Sequence, residues 1–300
     1  MGFRERLIAR LHSWLLPYAA VVGADLAALA RSWVLRAWFV LTALVAIYTI
    51  MQGSVALPLE LPARQVVSAF LSPDMPQKGP ARPIAELLEW YLLVWVTFVI
   101  ILAGGAITSE LGVVADSILS RGISRWQYLM GKWTARVVAV LAVYMVVMIP
   151  AAAIVWLGGS PASAAMPEVA GAAAESFDSQ AAPELLLQSR RIDTKGLAFA
   201  LAHVALLLAL VATCGVAFSA TFESTSLAIG VAWVTVYATG LTLSLVGIPY
   251  LSPVEFFARL PDLLSGRFVP AVQYWILAIS LGTIVSIVTL SGILFARRDV

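Results

Sequence analysis

The sequence predicts an all-α integral membrane protein with six transmembrane helices. The first observation is composition: the chain is 61% hydrophobic and only 12% charged, whereas a soluble domain is about half apolar and about a quarter charged. The second is length, because a bilayer core of about 30 Å requires roughly 20 apolar residues in a helix. Tryptophan and tyrosine also cluster near several of the apolar ends, as they do at headgroup level. The predicted spans are residues 33–51, 87–107, 133–157, 197–220, 227–248 and 271–295.

Residues 1–32 predict an amphipathic helix at the membrane interface, distinct from the transmembrane domain of residues 33–300. Charged residues, including Arg4 and Arg6, interrupt any apolar segment of the kind a signal peptide requires. Apolar and aromatic residues instead recur at helical spacing on one face, which is typical of interfacial helices. They are Phe3, Leu7, Leu11, Trp14 and Tyr18. Such a helix lies either in the interface or against protein, and the sequence leaves both open.

Both termini are expected in the cytoplasm. Six spans place them on the same side of the membrane, and lysine and arginine favour the cytoplasmic side. With the N-terminus inside, the inner segments are the shorter ones and carry their positive charges close to the span ends. Arg36, Lys132 and Arg136 lie at such ends, and their long side chains are expected to reach the headgroups.

The residues before the last span predict short re-entrant helices on the outer side. Residues 249–270 contain four prolines and an apolar run that is too short to cross the bilayer. Glu255, Phe256 and Asp262 in this segment are candidates for the translocation path or an outer gate. His203 is a further candidate because an ionisable side chain within a span suggests function. The alternatives are a neutral, hydrogen-bonded histidine between helices and acids solvated at headgroup level.

A polar segment, residues 109–133, interrupts the apolar sequence. Helical spacing puts Leu111, Ile118 and Leu119 on one face of it, with Glu110 and other polar residues on another. Gly122 suits the left-handed conformation that ends a helix. Ser124 and Gln127 then have the spacing of a capping box, which starts the next helix. The sequence therefore predicts a short surface helix, a turn and a restart, and we call residues 110–125 the elbow. A rigid elbow is suited to contact with a cytoplasmic partner. The alternative is that it is a simple structural hairpin between two spans.

The elbow and the C-terminal tail resemble those of ABC-2 type permeases, the membrane subunits of type V ABC exporters. The loop between their second and third spans has a similar pattern, and many of these chains have a similar end. The matching residues here are Glu110-x-Gly112, Asp116, Leu119-Ser120, Ser124-Arg125, Tyr128, Gly131-Lys132 and Phe295-Ala-Arg297-Arg298-Asp299. The amphipathic start, the six spans and the re-entrant segment agree with the same layout.

The resemblance implies a permease that pairs with a separate cytoplasmic ABC ATPase and exports a substrate across the bacterial inner membrane. It implies a homodimer, or a heterodimer with a sister permease, surrounded by membrane lipids. ATP and magnesium would bind to the ATPase, with no cofactor on this chain. The elbow would be the coupling helix seated in a groove of the ATPase, and the N-terminal helix would add a second contact. The candidate coupling residues are Glu110, Gly112, Asp116, Leu119, Ser120, Arg121, Gly122, Ser124 and Arg125.

Other chemistry is not indicated by the sequence. Gly131-Lys132 is not a phosphate-binding loop, because Trp133 follows the lysine and Trp126 stands where the first glycine is required. Common hydrolase motifs are absent from the sequence, and a net charge of +2 provides no basic face for nucleic acid. We therefore expect no enzyme activity from this chain by itself. Two alternatives stay open: an anchoring or mechanical subunit of an ABC complex that moves no solute, and a membrane-embedded enzyme.

Overall fold

Every regular element that the structure describes is a helix. The computed structural model describes residues 3–54, 84–85, 88, 95–110, 123–158, 193–246 and 253–297, and no strand occurs within these ranges. The helices are α1 Phe3–Arg31, α2 Trp33–Ser54, α3 Trp95–Gly104, a 3-10 turn Thr108–Glu110, α4 Arg125–Gly158, α5 Thr194–Thr221, α6 Thr225–Val246, α7 Pro253–Leu264 and α8 Pro270–Arg297.

Five of these helices are long and apolar enough to cross a membrane. They are α2, α4, α5, α6 and α8, and they confirm the positions of five predicted spans. The remaining predicted span, residues 87–107, is represented by the shorter apolar stretch Trp95–Glu110. Its earlier part lies mostly outside the described residues. The chain therefore has the architecture of a multi-pass helical membrane protein.

Helix α5 lies at the centre of the bundle and contacts α3, α4, α6, α7 and α8. Small residues line its buried surface, which allows neighbouring backbones to approach, as is typical of helix contacts in membranes. Gly215 illustrates this: a Cβ atom there would lie 2.6 Å from the Cβ of Ala103 in α3. The outer helices α6 and α8 instead expose large apolar side chains such as Leu245 and Trp275, and such surfaces suit a lipid environment.

The bundle has two distinct ends, which we call the elbow end and the opposite end. At the elbow end, α5 finishes at Thr221 and α8 at Arg297, close to Glu110 and Arg125. At the opposite end, α5 begins at Thr194 beside α7. The segment predicted to form short re-entrant helices contains one helix, α7, in its described part. The elbow and α7 therefore lie at opposite ends of α5.

Helix α1 confirms the predicted helix at the N-terminus. It continues through Pro17, although a proline inside a helix removes one backbone hydrogen bond. The side chains of residues 1–14, which include most of the predicted apolar face, lie outside the described part of the chain. Further along, Val21, Asp25 and Leu29 are buried, and α1 contacts α4 and α2. This half of α1 therefore packs against protein, which is one of the two alternatives that the sequence left open.

Candidate functional site

A capping box ends the elbow and starts α4, as predicted. The backbone N–H of Ser124 donates to Oε1 of Gln127 at 2.9 Å, and the N–H of Gln127 donates to Oγ of Ser124 at 3.2 Å. Each side chain thus satisfies a backbone donor that the first helical turn leaves without a partner. Because of this cap, α4 begins at Arg125, earlier than residue 133, where the apolar span was predicted to begin.

Glu110, at the start of the elbow, turns inward and contacts α4. Its Oε1 accepts from Nζ of Lys132 at 2.5 Å, and its Oε2 accepts from the hydroxyl of Tyr128 at 2.8 Å. The Lys132 ammonium also lies 5.6 Å from the centre of the Tyr128 ring, a distance at which a cation and an aromatic face attract. Both described ends of the elbow are therefore tied to the first turns of α4.

Helix α1 joins this contact through Asp25. The Lys132 ammonium donates to Oδ1 of Asp25 at 2.9 Å, and Nε of Arg136 lies 3.2 Å from Oδ2 of Asp25. Arg136 also donates to the backbone carbonyl of Leu102 in α3 at 2.8 Å. We call Asp25, Glu110, Lys132 and Arg136 the ion network. It contains two acids and two bases, so its formal charge sums to zero, and it connects α1, α3, α4 and the elbow.

The ion network is largely shielded from solvent. The exposed side-chain fractions are 2% for Asp25, 5% for Lys132, 12% for Arg136 and 29% for Glu110. The expectation that Lys132 and Arg136 reach the headgroups was therefore wrong. Desolvated charges need close counterions, and Asp25 and Glu110 provide them inside the protein.

Close packing between α1 and α4 brings the ion network together. A Cβ atom at Gly131 would lie 2.6 Å from Cγ1 of Val21, so a residue without a side chain is needed where the two helices meet. Nearby, the hydroxyl of Tyr18 donates to Oγ1 of Thr134 at 2.8 Å. The Gly131-Lys132 pair, which is not a phosphate-binding loop, therefore has a structural role: glycine admits α1 and lysine pairs with its Asp25.

The turn before the elbow is also fixed to α5 and α6. Oγ of Ser219 accepts from the backbone N–H groups of Ile107 at 2.8 Å and Thr108 at 3.0 Å. The hydroxyl of Thr225, at the start of α6, donates to Oγ1 of Thr108 at 2.8 Å. These bonds satisfy N–H groups at a helix end that would otherwise be buried without partners, and they attach Ile107 and Thr108 to α5 and α6.

The C-terminal end of α8 packs against the start of α4. A guanidinium nitrogen of Arg125 donates to the carbonyl of Ala296 at 3.3 Å. The rings of Tyr128 and Phe295 are stacked, with 6.3 Å between their centres. The structure therefore brings together the two segments on which the sequence resemblance depends, the elbow and the tail. Residues 298–300, which include Arg298 and Asp299, lie outside the described part.

Substitution of Gly292 by alanine is expected to displace the ring of Trp126 from the contact between α8 and the start of α4. A Cβ atom at Gly292 would fall on the ring of Trp126, and overpacking of this kind costs about 1–3 kcal/mol. Gly282→Ala is the matched control, since it lies in the same helix and its Cβ would meet nothing within 4 Å. Thermal unfolding in detergent should show a lower Tm for Gly292→Ala and an unchanged or higher Tm for Gly282→Ala. Equal Tm values for the two variants would contradict the packing argument.

The remaining candidate coupling residues are only partly described. Glu110, Ser124 and Arg125 have the contacts given above. The others, Gly112, Asp116, Leu119, Ser120, Arg121 and Gly122, lie outside the described residues, so the predicted surface helix and the left-handed turn stay predictions.

At the opposite end, the structure brings His203 and Phe256 together. Their rings are stacked with 5.8 Å between centres, and Nδ1 of His203 lies 2.8 Å from the carbonyl oxygen of Phe199. Phe256 belongs to the buried face of α7, with Leu260, Leu263 and Leu264. On its other face, Glu255 pairs with Arg259 at 3.5 Å and Asp262 is exposed. Within the described ranges, no group of three or more His, Cys, Asp or Glu residues could hold a metal ion.

Sequence reasoning missed Asp25, although a signal was present. Asp25 follows Tyr18 by seven residues, so it continues the apolar face of α1 as an isolated acid. Lys132 and Arg136 are spaced by four residues on one face of α4. An acid on an apolar stripe and two bases at the start of a span could have indicated a buried ion pair, but not which elements it joins.

Comparisons with family models and with curated proteins do not identify a family for this chain. No family model matches the chain, and no curated protein matches it.

Proposed function

We propose that this chain is the permease subunit of an ABC exporter of the ABC-2 type, driven by a separate cytoplasmic ATPase. The observation that carries the proposal is the anchoring of the elbow. Glu110 at its start and Ser124 at its end are both held on α4, by the ion network and by the capping box. The resemblance of the elbow and tail to ABC-2 type permeases supplies the class of partner.

Coupling of ATP hydrolysis to transport requires that a displacement of the elbow changes the arrangement of the spans. A partner shifts a conformational equilibrium only through contacts that differ between the states, and a flexible loop would absorb the displacement. Here Glu110 contacts Lys132, Arg125 contacts the end of α8, and Thr108 contacts α5 and α6. A displacement of the elbow would therefore reach most of the bundle directly.

In this proposal the elbow end faces the cytoplasm, with both termini, and α7 lies on the outer side. Residues 87–107 form the remaining span, the second of six along the chain. The exposed apolar faces of α6 and α8 contact lipid and the second permease, which is a copy of this chain or a sister chain. His203 and Phe256, at the contact of α5 with α7, are candidates for the outer part of the transport path.

Cysteine labelling tests the orientation. The chain has a single cysteine, Cys214, so Cys214→Ala provides a cysteine-free background. Ser109→Cys at the elbow end and Arg267→Cys beside α7 then place one thiol at each end, both at exposed positions. A membrane-impermeant maleimide should label Arg267→Cys in intact cells and Ser109→Cys only after permeabilisation. The reverse pattern would refute a cytoplasmic elbow.

Co-purification tests the partner. An affinity-tagged chain, extracted from its native membrane in mild detergent, should retain an ABC ATPase and show ATP hydrolysis. Arg121→Glu reverses a charge on the predicted polar face of the elbow and should remove the ATPase, because the reversed charge disrupts the charge complementarity on which docking would depend. Arg267→Glu makes the same change at the opposite end and should retain it. Recovery of the unmodified chain without any ATPase would contradict the proposed function.

A further inference from the structure

The carboxylate of Glu110 is fully engaged inside the chain. The resemblance places Glu110 among the residues that would contact the ATPase, but its Oε1 accepts from Lys132 and its Oε2 accepts from Tyr128. The same Lys132 ammonium donates to Asp25 of α1. Glu110 thus attaches the start of the elbow to α4 and, by way of Lys132, to α1.

The charges of the ion network show why this attachment is strong. Asp25, Lys132 and Arg136 are nearly buried, and without Glu110 they would carry a net charge of +1. An uncompensated charge in a desolvated site is strongly unfavourable. Without Glu110, Lys132 would still have Asp25 as a partner. The unfavourable free energy would therefore arise from the net charge of +1 as well as from the lost contact between Lys132 and Glu110. Motion of Glu110 away from α4 is therefore opposed while α4 and α1 stay together.

We infer that Glu110 is a positioning residue that fixes the first residue of the elbow to α4 and α1, so that the three segments move as one body. In this role Glu110 does not contact the ATPase. The inference rests on the proposed function for its biological meaning, since it assigns Glu110 to transmission and leaves docking to the other elbow residues.

The rigidity is tested first on the chain alone. In the Cys214→Ala background, spin labels at Ser109 and Val146 report the distance between the start of the elbow and the middle of α4. Both positions are exposed, and Val146 lies roughly 21 Å along α4 from Lys132 at 1.5 Å per residue. In nanodiscs the unmodified network should give one narrow distance distribution, and E110Q should broaden it. An equally narrow distribution in E110Q would overturn the inference, whether or not an ATPase partner exists.

A double variant separates positioning from simple destabilisation. E110Q leaves a net charge of +1 and should lower the Tm by about 5 °C or more. E110Q/K132M leaves Asp25 and Arg136, which balance each other, so the Tm should recover. The charged contact between position 110 and Lys132 is still missing and only the hydrogen bond from Tyr128 can remain there, so the distance distribution should stay broad. A distribution that narrows together with the recovery of the Tm would show that Glu110 contributes only to stability.

Co-purification then distinguishes positioning from docking. E110Q should retain the ATPase, and the matched variant E223Q, an exposed glutamate near the elbow end, should retain it as well. With ATP and vanadate, the distance between Ser109 and Val146 should stay constant in the E223Q complex and shift in the E110Q complex. Loss of the ATPase from E110Q alone would overturn the inference in favour of docking. Absence of an ATPase from the unmodified chain would instead count against the proposed function.

Discussion

Lys132→Met is expected to destabilise the protein by about 3–5 kcal/mol, the range measured when one partner of a buried ion pair is removed. The substitution leaves Asp25 and Glu110 with only Arg136 as a counterion. It also removes the ammonium group that pairs with both Asp25 of α1 and Glu110 of the elbow. Methionine has a similar volume, so the lost charge and not a cavity accounts for the effect.

Thermal unfolding in detergent measures this prediction, with Lys195→Met as the matched control. Lys195 lies exposed in the first turn of α5, and surface substitutions of this kind change stability by about 0.5 kcal/mol or less. Asp25→Asn combined with Lys132→Met leaves Glu110 and Arg136, whose formal charges balance, and should recover part of the lost Tm. If Lys132→Met and Lys195→Met have the same Tm, the ion network does not stabilise the protein.

Gly196→Ala is expected to detach α7 from the start of α5. A Cβ atom at Gly196 would collide with the backbone carbonyl of Leu263, and a backbone atom cannot rotate away as a side chain can. The same region holds the α5 cap: Asp193 accepts from the N–H of Gly196 at 2.8 Å and donates its own N–H to the carbonyl of Leu264 at 2.8 Å. We expect a cost of about 3 kcal/mol, at the upper end of overpacking effects.

The effect of Gly196→Ala should be visible in Tm and in limited proteolysis near α7, since the stacked contact of Phe256 on His203 depends on the docked helix. Gly230→Ala is the matched control, because a Cβ at this position of α6 would meet nothing within 4 Å. Alanine in an unobstructed helix should be neutral or stabilise by about 0.5–1 kcal/mol. Gly196→Ala with the stability and protease pattern of Gly230→Ala would mean that α7 does not pack as described.

Local rules explain the parts of the fold that could be predicted. Five spans follow from the length and hydropathy of apolar stretches, and the helix of residues 3–31 follows from its spacing. The capping box at Ser124 and Gln127 was found at the predicted positions because it depends on two residues three apart. The described part of the site that could be predicted from sequence is therefore the capped start of α4, whereas the contacts of Glu110 inside the chain were not predicted.

The same local rules could not predict which residues far apart in the sequence contact one another. The position of Lys132 at a span end predicts contact with the headgroups, yet Asp25, more than a hundred residues away in the chain, provides a closer counterion. The contact of Phe256 with His203 likewise joins two helices whose relation no local pattern encodes. The direction in which Glu110 points was also undetermined, since helical spacing places a side chain on a face without naming what covers that face.

The sequence by itself determined that this protein is a helical, multi-pass membrane protein with a capping box at the start of α4, because hydropathy, helical period and capping act over a few residues. Only the tertiary structure decided that the elbow is anchored by a neutral set of four charges shared with α1 and α4. The physical reason is that a buried charge is stable only beside its counterion, and which counterion is near depends on how the whole bundle packs.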